Sequence, residues 1–337
     1  MPGTLTALHR SIRRLFVRAP QAQRVDLRGR KIIVTGAARG SIGYETAGIL
    51  ASWGATLVVT SRSNVNALVE DLRGKLSGAP DCGAVDGHTL DLCDTNSVNA
   101  FVEWYRRQHG ERLDVLINNA GVHLDLLSQW KTPQEIADGH EIHWRTNYLG
   151  TMQLTMRLLP LLQNAAAQTG DARIVNVVSM LHDKGRNEWL FAPQEHYNSW
   201  VAYGTSKLAL IHASFELQRR YAESANVQAY CLHPGAVYTN IAGKGLAGNP
   251  VLESIRNFFA PVEAFFLLTP EEGAQTQVHC ASSPDARGGL YYRECRPAPA
   301  SKDSADTQVS ARLWEQTQAW IGAEAGHKSP KAATRSR

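Results

Sequence analysis

The chain has 337 residues, 43% of them hydrophobic and 20% charged, with a formal net charge of +4. That is an ordinary soluble globular composition, large enough for one α/β domain with a full core, two small domains being the alternative. The five cysteines (Cys82, Cys93, Cys231, Cys280, Cys295) are odd in number, scattered and form no Cys-x-x-Cys pair, which argues against a disulfide framework or a zinc site and for a reducing compartment. No apolar run reaches the roughly 18 residues a spanning helix needs. Basic residues gather at the termini rather than among aromatics on the domain, so no nucleic-acid partner is expected.

Residues 1–29 read as a basic N-terminal arm. Leu5, Leu8, Ile12, Leu15 and Phe16 recur at helical spacing, while Arg10, Arg13 and Arg14 interrupt any secretory apolar core. Two readings stand: an amphipathic helix lying on an anionic membrane, or a helix docked on the protein or frayed. A cytoplasmic location is expected, with peripheral membrane contact under the first reading. Residues 30–322 form the expected single domain, and 323–337 a disordered basic tail.

Within the domain, short apolar runs alternate with helical periods. Strands are expected at 31–35 (KIIVT), 55–60, 85–90, 113–118, 173–178 and 227–232, and helices at 42–53, 65–76, 97–109, 142–162 and 201–221. Near-continuous apolar strands alternating with helices imply a doubly wound, Rossmann-type parallel sheet covered on both faces. A further helix is expected around 313–321, packed on its own subunit or another.

The first strand runs into Thr35-Gly36-Ala37-Ala38-Arg39-Gly40-Ser41-Ile42-Gly43. Glycines let the backbone approach a pyrophosphate, and the helix that follows presents free amides and a positive dipole end. Strand, turn and helix together give a dinucleotide-binding reading that a lone glycine cluster would not. The second strand ends at Thr60-Ser61-Arg62-Ser63-Asn64, without the acidic residue that would hold the ribose 2′-hydroxyl of NAD. Arg62 and Arg39 are placed to meet a 2′-phosphate, favouring NADP(H), or are solvated surface charges. Asp91 either accepts from the adenine amino group or caps a helix.

Tyr203 and Lys207 are four apart in Tyr203-Gly204-Thr205-Ser206-Lys207, on one face of a helix. A nearby ammonium is expected to draw the phenol's pKa down toward neutrality, where it exchanges a proton with an alcohol or carbonyl.

In their order these residues resemble the short-chain dehydrogenase/reductase family: the glycine turn, Asp91-Leu92, Asn118-Asn119-Ala120-Gly121, Asn147, Ser179, Tyr203 with Lys207, and Pro234-Gly235. The likeness covers about residues 30–296. It implies that Tyr203 is the general acid in reduction and the base in oxidation, that Lys207 lowers the phenol pKa and binds the nicotinamide ribose, that Ser179 polarises the substrate carbonyl and that Asn147 holds a relay water. It also implies that Gly36, Arg39, Gly40, Ile42, Gly43, Arg62, Asp91, Leu92, Asn118, Ala120 and Gly121 line the cofactor cleft, and that Pro234, Gly235 and Thr239 hold the nicotinamide. Two features depart from the family pattern. Ser41 makes the turn one residue longer, so the loop must bulge, and the gap from Ser179 to Tyr203 is long. That long gap, Thr146-Asn147-Tyr148-Leu149-Gly150 and Thr269-Pro270-Glu271-Glu272-Gly273-Ala274 resemble the retinol dehydrogenase and WW-domain oxidoreductase branch, without WW domains.

Trp189, Phe191, Tyr197 and Trp200 in the long gap, and Phe258, Phe259, Phe265 and Phe266 later, read either as an apolar cleft wall or as core packing. A cleft wall suits a lipophilic retinoid-, steroid- or long-chain aldehyde- or ketone-like substrate. His140 and His143 lack the further ligands of a metal site. The expected function is an NADP(H)-dependent carbonyl reductase or alcohol dehydrogenase; a catalytically quiet NADP-binding scaffold with a protein partner, and a membrane-surface lipid binder, are the alternatives. Pairing into a homodimer through the helices carrying Asn147 and Tyr203 is a family habit the sequence does not decide.

Overall fold

The structure, a computed structural model, describes residues 21–78, 81–123, 131–237 and 268–326. The N-terminal apolar stripe, Thr239, the four later phenylalanines and the basic tail beyond Gly326 lie outside the described residues.

Eight described strands form one sheet in the order β3-β2-β1-β4-β5-β6-β7-β8. They are β1 (Lys31–Val34), β2 (Thr56–Ser61), β3 (Val85–Thr89), β4 (Val115–Asn118), β5 (Ala172–Val177), β6 (Val227–His233), β7 (Tyr291–Arg293) and β8 (Arg296–Ala298). Every pair is parallel except the last, where β7 and β8 run antiparallel. The helices are α1 (Ile42–Ser52), α2 (Val65–Leu76), α3 (Thr95–His109), α4 (Gly150–Thr169), α5 (Ser199–Ala225), α6 (Pro270–Ser282) and α7 (Thr307–Gly326).

The apolar strands serve two cores. One face carries Phe101, Tyr105, Leu158, Leu162, Leu210 and Trp314 from α3, α4, α5 and α7. The other carries Leu50, Leu68, Leu72 and Val278 from α1, α2 and α6. Each fully buried large apolar side chain contributes roughly 1.5–3 kcal/mol relative to exposure. The C-terminal helix packs on its own chain: Leu313 and Trp314 are buried, the Tyr148 and Thr317 hydroxyls lie 2.7 Å apart, and the Arg145 guanidinium sits 5.0 Å from the Trp320 ring.

The order reverses between β1 and β4, which are neighbours although β2 and β3 lie between them in the chain. A crevice opens outside the carboxyl ends of strands at such a point. The expected single helix over 142–162 is interrupted: Trp144–Leu149 forms a π turn before α4 begins. Asn147 lies within this turn, and its amide pairs with both backbone groups of Val122; π turns recur at functional sites. β7 and β8 were not anticipated; three residues each, with Pro297 in the second, they carry no strand period.

Candidate active site

The glycine turn after β1 is shaped by three different constraints. Gly36 and Gly40 have φ of +68° and +72°, a region unfavourable to side chains. A Cβ on Gly36 would also lie 2.8 Å from Ala120 Cα. Gly43 faces Asn119, and a Cβ there would overlap the Asn119 amide nitrogen and stand 2.9 Å from Gly36 O. The extra residue, Ser41, does not simply bulge. It is the N-cap of α1, its hydroxyl accepting from Tyr44 N at 3.1 Å and donating to Gly36 O at 3.3 Å. The turn is thus a cradle at a helix N-terminus where Gly36, Gly40 and Gly43 leave backbone uncovered, which fits a dinucleotide pyrophosphate.

Asn118 and Asn119 divide their work in a way the sequence does not show. Asn118 is buried and donates to Thr155 Oγ1 at 2.9 Å and Asn176 Oδ1 at 2.8 Å, so its side chain braces β4 against α4 and β5 rather than lining the cleft. Strand alternation sends Asn119 the other way. Asn119 donates to Thr35 O at 2.8 Å and Gly36 O at 3.2 Å, and accepts from Gln277 at 3.1 Å. The Thr35 hydroxyl accepts from Asn119 N and Ala120 N. Thr35, Asn119 and Gln277 therefore hold the cradle, and the sequence reading missed Thr35 and Gln277; the polar character of buried Thr35 at a strand end was the available signal.

The two arginines separate. Arg39 is ion-paired with Asp71 at 2.6 Å, and Asp71 also accepts from the Tyr44 hydroxyl at 2.5 Å. Arg62, at the end of β2, is exposed and makes no ion pair among the described residues. Asp91 accepts from Cys93 N at 2.9 Å, closing the loop after β3. Leu92 is buried in that loop, its carbonyl held at 2.5 Å by Arg145, a guanidinium only 1% exposed that also pairs with Asp138 at 2.7 Å.

Across the crevice, Ser179 stands two residues after β5 and α5 carries Tyr203 and Lys207. Ser179 caps a short 3-10 turn (Met180–Lys184), accepting from Leu181 N at 3.2 Å. Its hydroxyl acts on the Tyr203 phenol, opposing the effect of burial on it. Asn198 caps α5 through Trp200 N and Val201 N, fixing where the helix begins and hence where Tyr203 points. Lys207 is 3% exposed, with Nζ donating to Val177 O at 3.1 Å and lying 5.7 Å from the centre of the Tyr203 ring. A Cβ on Gly121 would lie 3.1 Å from Lys207 Nζ and 3.3 Å from Asn147 Oδ1, so Gly121, Asn147 and Lys207 converge. The Asn147 amide is taken up by Val122 and by Ser206 at 3.1 Å.

The expected lowering of the Tyr203 pKa is corrected. Burial pushes the phenol up to about 12, and the Ser179 hydroxyl opposes this only in part. Burial also draws Lys207 down to about 8. Spacing of four places the two groups side by side, but desolvation is the first cause of the shift at each.

Three further groups stand around Tyr203 that the sequence reading did not name as site residues. The His123 ring stacks on it at 4.2 Å and 15°. His143 meets it edge-on at 6.0 Å. Glu141 holds His143 at 2.7 Å and accepts from the Tyr197 hydroxyl at 2.9 Å. Burial alone would raise Glu141, but His143 and the backbone amides of Trp144 and His143 hold it below the usual carboxylate range. His140 turns instead to Trp320, 5.8 Å away, so the two histidines do not converge. Of the aromatics in the long gap, Trp200 lies edge-on to His123 at 5.5 Å, whereas Phe191 packs under Arg312 at 4.0 Å, away from the crevice.

Pro234 and Gly235 follow β6, Gly235 at φ +94° against Leu268. A cavity of about 400 Å³ opens beside Ser179 at the carboxyl ends of β5, β6 and β7, lined by Met180, His182, His233, Tyr291, Arg293 and Arg296 among others. The His233 Nδ1 atom is buried without a hydrogen-bond partner among the described residues, and burial draws the imidazole down to about 4, leaving it neutral.

A glycine cradle at the switch point, opposite a serine–tyrosine–lysine set, is the arrangement of a nicotinamide-dependent oxidoreductase, and the chain belongs to the short chain dehydrogenase family, whose sequence profile matches residues 30–248. Within that family it falls in the retinol dehydrogenase branch. It is 35% identical to human retinol dehydrogenase 14 over 311 residues, covering 88% of this chain and 87% of the relative. It is 33% identical to mouse retinol dehydrogenase 12 over 307 residues, 90% of each. Among solved structures, an uncharacterised protein from Mycobacterium paratuberculosis matches with a TM-score of 0.65 and 28% identity, over 90% of this chain and 98% of that one. L-sorbose reductase from Gluconobacter frateurii, complexed with NADPH and L-sorbose, shares the fold at a TM-score of 0.57 and 22% identity, over 80% and 96%. The protein is accordingly an oxidoreductase that binds a nicotinamide cofactor and acts between carbonyl and alcohol. Among the described residues no helix is long and apolar enough to cross a membrane.

Proposed function

We propose that the protein is an NADP(H)-dependent oxidoreductase that interconverts a carbonyl and an alcohol on a lipophilic, retinoid-like small molecule, with Tyr203 as general acid and base. The observation that carries this reading is the convergence of Ser179, Tyr203 and buried Lys207, whose Nζ lies 5.7 Å from the Tyr203 ring centre, across from the glycine cradle. Arg62 supports the phosphorylated cofactor: it is exposed at the end of β2, where no acidic side chain stands to accept from a 2′-hydroxyl. Arg39, already paired with Asp71, is the lesser contributor. The relatives' names support the substrate class.

The bound nicotinamide dinucleotide supplies the hydride. The residues that would hold it are the backbone of Gly36 to Gly43, Arg62, Asp91 with Leu92, the Ala120–Gly121 segment, Lys207 and Pro234-Gly235. In reduction the Ser179 hydroxyl donates to the carbonyl oxygen, and the Tyr203 hydroxyl donates its proton as negative charge develops there. A phenol pushed up to about 12 stays protonated at neutral pH, which suits the acid role. In oxidation the Tyr203 phenolate, favoured by the Lys207 ammonium, takes the alcohol proton and returns to the phenol while the Ser179 hydroxyl orients the alcohol.

The test is oxidation of NADPH and of NADH with a panel of aldehydes and ketones that includes all-trans retinal, for wild type and Tyr203→Phe. Turnover with NADPH, weak turnover with NADH and loss in the variant are expected. Turnover surviving in Tyr203→Phe would overturn the proton-donor role. NADPH binding without turnover of any carbonyl would favour the scaffold reading.

A further inference from the structure

We infer that His123 is a positioning residue for Tyr203: its ring face holds the phenol toward Ser179 and keeps water from one side of it. The inference rests on the proposed role of Tyr203 and adds a residue that the glycine turn and the Tyr203–Lys207 pair do not reveal.

The geometry is a clamp. The two rings are nearly parallel, 15° apart, with centres 4.2 Å apart. His123 is itself only 6% exposed and is fixed at its edges, by Trp200 at 5.5 Å and 74° and by His143 at 6.0 Å and 69°. His143 is fully buried and tied to Glu141, which also takes hydrogen bonds from Tyr197 and from Trp144 N. At the backbone, Val122, the residue before His123, is gripped on both its amide and its carbonyl by Asn147. Ring contacts on two edges and a hydrogen-bonded neighbour hold the imidazole, which presents a flat face to the phenol.

Among the described residues, four groups stand around Tyr203. These are His123 after β4, His143 before the π turn and backed by Glu141, Ser179 after β5, and Lys207 on its own helix. Ser179 addresses the hydroxyl, Lys207 lies 5.7 Å from the ring centre, and His123 covers a face. Removing that cover admits water beside the phenol. Water solvates the phenolate, and a ring without its stack no longer holds one orientation toward the carbonyl.

Two full-length variants test the inference. His123→Phe keeps a flat face and removes the nitrogens; His123→Ala removes the face. The readouts are kcat, KM for NADPH, and the onset of Tyr203 ionisation, followed by NMR of tyrosine labelled with carbon-13 at Cζ and assigned through Tyr203→Phe. His123→Ala is expected to lower kcat by roughly tenfold or more with KM for NADPH within about twofold, and to bring ionisation of Tyr203 down by about one pH unit. His123→Phe is expected to keep kcat within about threefold and the wild-type ionisation. Wild-type kcat and ionisation in His123→Ala would overturn the inference. So would a His123→Phe variant as impaired as His123→Ala, because the role would then belong to the imidazole nitrogens. If wild type reduces no carbonyl, the functional reading fails while the NMR arm still reports on the clamp, so the two failures are distinguishable.

Discussion

Lys207 offers a stability measurement that reads the site without a substrate. Its ammonium is 3% exposed, and burial draws it from 10.5 to about 8. Because the folded value lies below the unfolded one, the unfolded chain holds the extra proton between about pH 8 and 10.5. Stability therefore rises with pH across that window, and the penalty of a buried charge is fully present below it. Linkage gives a gain of about 2 kcal/mol between pH 7 and 9.5 from this group alone. Lys207→Met removes the titration while keeping most of the side-chain volume. It also leaves Val177 O without its 3.1 Å donor, an offset of roughly 1–3 kcal/mol that does not vary with pH. Urea unfolding of wild type and Lys207→Met at intervals from pH 6.5 to 9.5 isolates the group, since every other titration cancels in the difference. The difference should grow in favour of wild type by about 2 kcal/mol as pH rises from 7 to 9.5. Parallel curves would refute the claim that burial depresses Lys207.

Other substitutions probe the cradle and the cofactor. Ser41→Ala, which loses both the Tyr44 N cap and the bond to Gly36 O, should cost about 1 kcal/mol in urea unfolding and weaken NADPH binding. Gly43→Ala places a methyl against the Asn119 amide and the Gly36 carbonyl, so NADPH affinity measured by fluorescence should fall by about tenfold or more while the chain stays folded. Arg62→Asp should lower the ratio of kcat/KM for NADPH over NADH by about a hundredfold; an unchanged ratio would place the phosphate-reading charge elsewhere.

The strand–helix alternation was legible because apolar runs and 3.6-residue periods are local properties, and six strands stand within about two residues of where those patterns put them. The glycine turn and the Tyr203–Lys207 pair were readable for a related reason, one following a strand and the other lying on a helix face that the periods define, whereas Ser179 came from the family resemblance. Once the parallel alternation is granted, the strands' carboxyl ends fall on one side of the sheet.

What tertiary structure decided depends on partners far away in the chain. Asn118 and Asn119 are adjacent, yet one braces the core through Thr155 and Asn176 and the other holds the turn through Thr35 and Gly36. Arg39 reads as a phosphate ligand until α2 brings Asp71 to it. From within the π turn Asn147 reaches Val122, 25 residues earlier. The stacking of His123 on Tyr203 joins the loop after β4 to α5. Most of all, spacing alone puts Lys207 beside Tyr203, but the proton affinity of each is set by how much water packing removes, and that is a property of the assembled core. Sequence determined which chemical groups gather at the switch point; desolvation and long-range hydrogen bonds, which arise only when the elements pack, decided their protonation and aim.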